Sequence, residues 1–106
     1  RVILRLGLPP GHHLTAGAPS LLSWEESDGL VTLDGAREIA LEGQPFPLSM
    51  PATFREGEGF WRGEVTLYYC ARQGAVCQVY RARLALPLTV TPNAAHADLQ
   101  VPIRIP

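Results

Sequence analysis

The chain has 106 residues, enough for one domain and too few for two of ordinary size. It is 46% hydrophobic and 18% charged, and its 9 basic and 10 acidic residues leave a net charge of −1. That balance lacks the basic excess of a nucleic-acid or anionic-membrane binder, and no apolar run approaches the ~18 residues of a membrane-spanning helix.

The 10 Gly and 10 Pro cut the chain into short pieces and disfavour long helices. Every basic residue is Arg and the only Asn is Asn93, a coding bias that points to a GC-rich bacterial genome, thermophiles included. Residues 1–106 are expected to form a single domain excised from a longer chain, with both end strands integral to it.

In chain order, Val2, Leu4 and Leu6 alternate with Ile3 and Arg5, the period of a half-buried strand. Leu8-Pro9-Pro10-Gly11 ends that strand in a rigid turn. Residues 12–28 show no clear period and read as a loop. Short strands are expected at Leu30–Leu33, Ile39–Glu42 and Phe46–Met50, and only Ala36–Leu41 has room for a helical turn. Gly57, Gly59 and Gly63 frame what reads as a mobile stretch around Phe60 and Trp61.

Val65, Leu67 and Tyr69 form the next apolar row, alternating with Glu64, Thr66, Tyr68 and Cys70. The longest alternation runs from Val76 to Val90, and the last covers Leu99–Ile105. Pro87 and Pro102 interrupt strand patterns and so belong at edges or bulges. So long a strand is expected to bend or change sheet at Pro87. The expected fold is an all-β, immunoglobulin-like antiparallel β-sandwich of about seven to eight strands.

Cys70 and Cys77 are the only cysteines. The alternation puts both on the non-core face of one hairpin, closed by a loop containing Gly74. Opposing them sets Tyr68 against Val79, Thr66 against Arg81 and Glu64 against Arg83 outside. It sets Tyr69 against Gln78, Leu67 against Tyr80 and Val65 against Ala82 inside. Both rows then pair like with complementary, whereas a slip of one residue would scramble both faces. Directly opposed, non-hydrogen-bonded residues have Cα atoms about 4.5 Å apart, at the short end of disulfide geometry. The pair is then a structural staple, a redox-active couple or two unpaired thiols. Arg72 and Arg81 are the cations placed to lower a thiol pKa.

Leu8-Pro9-Pro10-Gly11-His12-His13-Leu14, Ala18-Pro19-Ser20, Tyr68-Tyr69-Cys70 and Cys77, in this order, resemble the C-terminal β-domain of NHL-repeat proteins that carry a thioredoxin-like domain. That domain is similar in turn to the N-terminal domain of the disulfide reductase DsbD, an immunoglobulin-like sandwich. The resemblance spans nearly the whole chain. It implies thiol–disulfide exchange with a thioredoxin-like partner through Cys70 and Cys77, with Tyr68, Arg72 and Arg81 tuning access and pKa. The family domain also shields its cysteines with an aromatic cap loop, and Phe60 and Trp61 in the glycine-framed stretch are the candidates for that role, without a residue-by-residue match. The alternative it implies is a non-catalytic accessory domain in which Cys70–Cys77 is a staple. The spacing, with six residues between the cysteines, departs from the family pair.

No cofactor, nucleotide or metal signature stands out. His12 and His13 are adjacent and point apart on extended backbone, and His96 is distant in sequence. Glu25, Glu26 and Asp28 read as a solvated loop, Ser20 and Ser23 lack a His–Asp arrangement, and Trp24 reads as a core anchor. A disulfide favours a periplasmic or other extracytoplasmic site, although thermophile cytosols also hold disulfides.

Overall fold

The structure is a computed structural model that describes residues 1–72, 76–92 and 98–106. Ten strands and no helix occur among these residues: β1 (Val2–Gly7), β2 (His12–Leu14), β3 (Leu21–Glu26), β4 (Val31–Leu33), β5 (Glu38–Ala40), β6 (Leu48–Met50), β7 (Ala52–Phe54), β8 (Gly57–Ala71), β9 (Cys77–Val90) and β10 (Leu99–Arg104). The chain is an all-β sandwich, as its period-two patterning requires.

One sheet has the order β10-β1-β6, with β1 parallel to β10 and antiparallel to β6. The larger sheet is built on β8. Strand β9 lines one side of it, β2 and β3 pair with successive stretches of the other side, and β5 lies beyond β3. Strands β4 and β7 form a separate antiparallel pair.

The inward rows of the two main sheets meet in one core. Val2, Leu4, Val101 and Ile103 come from the first sheet; Leu22, Trp24, Trp61, Val65 and Leu67 come from the second. Trp61 is fully buried, and its ring meets that of Trp24 edge-on at 5.2 Å between centroids.

The β8–β9 ribbon sets the shape of the molecule. At ~3.3 Å per residue a strand as long as β8 spans about 50 Å, and the molecule measures 49 × 23 × 22 Å. The expected break at Pro87 does not occur: fourteen pairs run from Gly57–Val90 to Cys70–Cys77 without a register shift. The Ala71 N–H donates to the Val76 carbonyl, so Cys70 and Cys77 form a non-hydrogen-bonded pair. Counting back by twos makes Phe60–Pro87 another such pair. The N–H that Pro87 lacks would therefore point away from β8, and no ladder bond is lost.

Three further expectations are corrected. Residues 12–28 contain β2 and β3, the second of which is a core strand; its alternation is broken by a register shift between Trp24 and Glu26. The Ala36–Leu41 segment holds β5 and no helical turn. The glycines around Phe60 and Trp61 belong to β8 and permit close packing. A methyl group on Gly63 would sit 2.7 Å from the Trp61 ring and 2.8 Å from the Ser23 carbonyl oxygen. At Gly59 it would meet the Asp28 carboxylate. The hairpin loop around Gly74 and residue His96 lie outside the described residues.

Gly63→Ala is expected to destabilise the fold by about 1–3 kcal/mol through overpacking. Gly35→Ala, where the added methyl meets nothing within 4 Å, should change stability by less than about 0.5 kcal/mol. Urea denaturation of the two variants checks both values.

Candidate functional site

The register inferred from the cysteines is the one observed: Tyr68–Val79, Thr66–Arg81 and Glu64–Arg83 oppose one another on the outer row, and Tyr69–Gln78, Leu67–Tyr80 and Val65–Ala82 on the inner. Cys70 and Cys77 are joined, with an S–S distance of 2.07 Å, and their Cα atoms are 4.1 Å apart. The bridge crosses the ribbon at the end distant from the core tryptophans.

The two sulfurs have unlike surroundings. Cys77 belongs to an exposed stretch of the edge strand β9, whereas Cys70 is only 8% exposed. The cover comes from β2 and the residue after it. His13 pairs with Cys70 in the ladder, the Thr15 N–H donates to the Tyr68 carbonyl, and the Thr15 Oγ1 lies 2.9 Å from the Cys70 Sγ. A bridged sulfur carries no hydrogen, so the hydroxyl is the donor. Alternation places Cys70 on the non-core face as expected, but β2 covers it from the side.

Thr15 is the site residue that sequence reasoning misses. It lies 55 positions from Cys70 and follows a strand of only three residues, too short to show a period.

The other expected site residues divide. Tyr68 precedes Cys70 on the outer row and is half-buried. Arg72 follows the bridge, exposed, with its backbone N–H donating to the Gly11 carbonyl. Arg81 is four positions beyond Cys77 on the same face, about 13 Å along the strand, with its Nε 3.4 Å from the Thr66 hydroxyl. That separation exceeds the ~8 Å screening length at physiological salt and leaves Arg81 little leverage on a thiol there.

Phe60 and Trp61 do not cap the bridge. They lie in β8 roughly 30 Å from Cys70 along the strand, Trp61 in the core and Phe60 on the surface beneath the Arg62 guanidinium. The nearest apolar side chains exposed along the chain from Cys77 are Val76 and Val79, 63% and 57% exposed.

The acidic cluster is paired. Glu25 meets Arg83, which also reaches Glu64, and Glu26 and Asp28 meet Arg62. These are surface pairs worth at most about 1 kcal/mol each. Asp28 also accepts the Phe60 N–H at 2.7 Å, on the side of β8 that faces away from β9. His12 and His13 both lie in β2. His12 is half-buried, with its ring 5.7 Å from that of Tyr69, and His13 is exposed.

A scan against protein-family models finds no match for this chain, and a search of curated proteins finds none either.

Closing so short a loop constrains the unfolded chain by about 2–3 kcal/mol in the loop-entropy account. Reduction should therefore lower the stability in urea by that amount and leave the far-ultraviolet circular dichroism of the native sheet unchanged. Collapse of the sheet on reduction would mean that the ribbon depends on its bridge.

Proposed function

We propose that this domain is a thiol–disulfide exchange module that accepts electrons from a thioredoxin-like partner at the Cys70–Cys77 bridge. The observation that carries this reading is the asymmetry of the bridge: one sulfur lies in exposed strand, and the other is sheltered with a hydroxyl donor aimed at it. The resemblance to the DsbD N-terminal domain points to the same chemistry.

In the reaction, a partner thiolate attacks the Cys77 Sγ. A bond forms between the two sulfurs, the Cys70–Cys77 bond breaks, and the Cys70 Sγ leaves as a thiolate with the bonding electrons. The Thr15 hydroxyl donates to that thiolate as its charge develops, and water then supplies a proton. The partner's second thiolate attacks the partner sulfur of the mixed disulfide and releases Cys77. The partner dithiol is oxidised to a disulfide, and the bridge is reduced to a dithiol.

A second reading, an accessory sandwich stapled by the bridge, draws on the burial of Cys70 and on a ribbon already held by fourteen strand pairs. The reduction potential separates the two. Exchange expects a value near about −200 mV, and a staple expects one below about −300 mV.

Cys70→Ser, which keeps the exposed Cys77, should form a mixed disulfide with a thioredoxin that lacks its resolving cysteine and carries thionitrobenzoate on the remaining one: the Cys77 thiolate attacks the thioredoxin sulfur and thionitrobenzoate leaves. Cys77→Ser should trap far less. Thr15→Val should slow reduction by thioredoxin by about tenfold, the worth of a hydrogen bond to a developing charge, and Thr15→Ser should restore the rate. Equal trapping by both cysteine variants, or an unchanged rate in Thr15→Val, would remove the proposed roles of Cys77 and Thr15.

A further inference from the structure

We propose that the open edge of β9 beside the disulfide is a docking strip for an extended acidic segment of the exchange partner, bound as an added β-strand. This rests on the exchange reading for the identity of the partner, but its geometry stands on the ladder alone.

Among the described residues β9 pairs only with β8. Because Cys70–Cys77 is a non-hydrogen-bonded pair, so are the pairs made by Val79, Arg81, Arg83 and Ala85. Their N–H and C=O groups point away from β8, and none has a backbone partner among the described residues. The next residue in the row is Pro87, which has no N–H, so the continuous strip runs from Cys77 to Ala85, about 26 Å at ~3.3 Å per residue. An unpaired strand edge of this kind is a ready template for another strand.

The side chains specify what fits. On the inner row Tyr80, Ala82 and Leu84 are only half-buried, so an incoming strand would complete their cover with apolar residues. On the outer row Val79 is 57% exposed, and Arg81 makes no ion pair among the described residues. Arg83 is already occupied by Glu25 and Glu64. The complement is a strand with alternating apolar residues inward, an apolar residue opposite Val79 and a carboxylate opposite Arg81. Two residues past the position opposite Val79, the same face of the added strand runs alongside Cys77.

A second copy of this chain fits poorly. Antiparallel pairing of β9 with itself, centred at Arg81, Ala82 or Arg83, sets arginine against arginine, and in-register parallel pairing does the same. The same arginines, with Pro87, discourage indiscriminate pairing while leaving the edge open to an acidic strand.

The test uses the oxidised domain and a cysteine-free peptide, acetyl-Thr-Val-Glu-Val-Val-Val-Thr-amide, which sets Glu opposite Arg81 and Val opposite Val79, with amide hydrogen exchange followed residue by residue. Saturating peptide should slow exchange at Val79, Arg81 and Arg83 by at least about tenfold. The Tyr80 and Ala82 amides, which already face β8, should change little. Replacing Glu by Lys in the peptide should abolish the effect, and Arg81→Glu should reverse the preference.

Val79→Pro should remove binding; should that variant lose its fold, the Arg81→Glu reversal decides. Exchange at Val79, Arg81 and Arg83 that is unaffected by the peptide would overturn the proposal. So would protection in the domain alone that rises with its concentration, since a second copy would then cover the edge. The peptide carries no thiol, and a Cys70→Ser, Cys77→Ser double variant should bind it equally. Docking with a potential below about −300 mV would sink the exchange reading and spare the edge. A potential near −200 mV without docking would do the opposite.

Discussion

The alternation of one antiparallel ladder governs the rest of this structure. Once Cys70 stands opposite Cys77 as a non-hydrogen-bonded pair, every residue of the ribbon has both its face and the direction of its backbone groups assigned. The inward row becomes Trp61, Gly63, Val65, Leu67 and Tyr69, which the core covers. Backbone groups that do not bond across the ribbon are met on the other side of β8 by specific partners. The Asp28 carboxylate accepts the Phe60 N–H, and the Ser20 hydroxyl accepts the Tyr68 N–H. On the far side of β9 the corresponding groups have no backbone partner among the described residues. The sandwich is thus finished on one side of its longest ribbon and open on the other.

The same ladder accounts for the chemical inequality of the two sulfurs. A symmetrical cross-strand bridge would give each cysteine similar access to water. Here one belongs to an edge strand and the other to a strand flanked on both sides, so the difference follows from sheet order. Thr15 adds to it by placing a hydroxyl on the sheltered sulfur. In thiol–disulfide exchange an inequality of this kind selects which sulfur is approached and which departs.

What could be read from the amino-acid order was local. The ribbon register was legible because two strands of strict period two are joined by a short connection and carry complementary partners at every step, down to Glu64 and Arg83. Leu30–Leu33, Ile39–Glu42 and Phe46–Met50 each hold a strand, β4, β5 and β6, although the boundaries differ. What escaped was non-local. In β3 the adjacent Leu21 and Leu22, followed by the shift between Trp24 and Glu26, hide the alternation of a core strand. The glycines around Trp61 resemble those of a loop, because nothing nearby in sequence reveals that an indole must lie against Gly63. Strand β2 is too short to show a period, and with it went the cover over Cys70 and the role of Thr15. Pro87 was correctly read as an edge residue; the bend expected there was unnecessary, because the missing donor faces outward.

The placement of the aromatic core has a practical consequence. Both tryptophans of the chain sit together in the packed interior, edge to face; measured along β8 from Cys70, Trp61 is roughly 30 Å away and the position opposite Trp24 roughly 23 Å. Disulfides quench indole emission only at close range, so the intrinsic fluorescence of this domain reports on the integrity of its interior and is blind to the oxidation state of its tip. Electron transfer and unfolding can therefore be followed in one sample as separate signals.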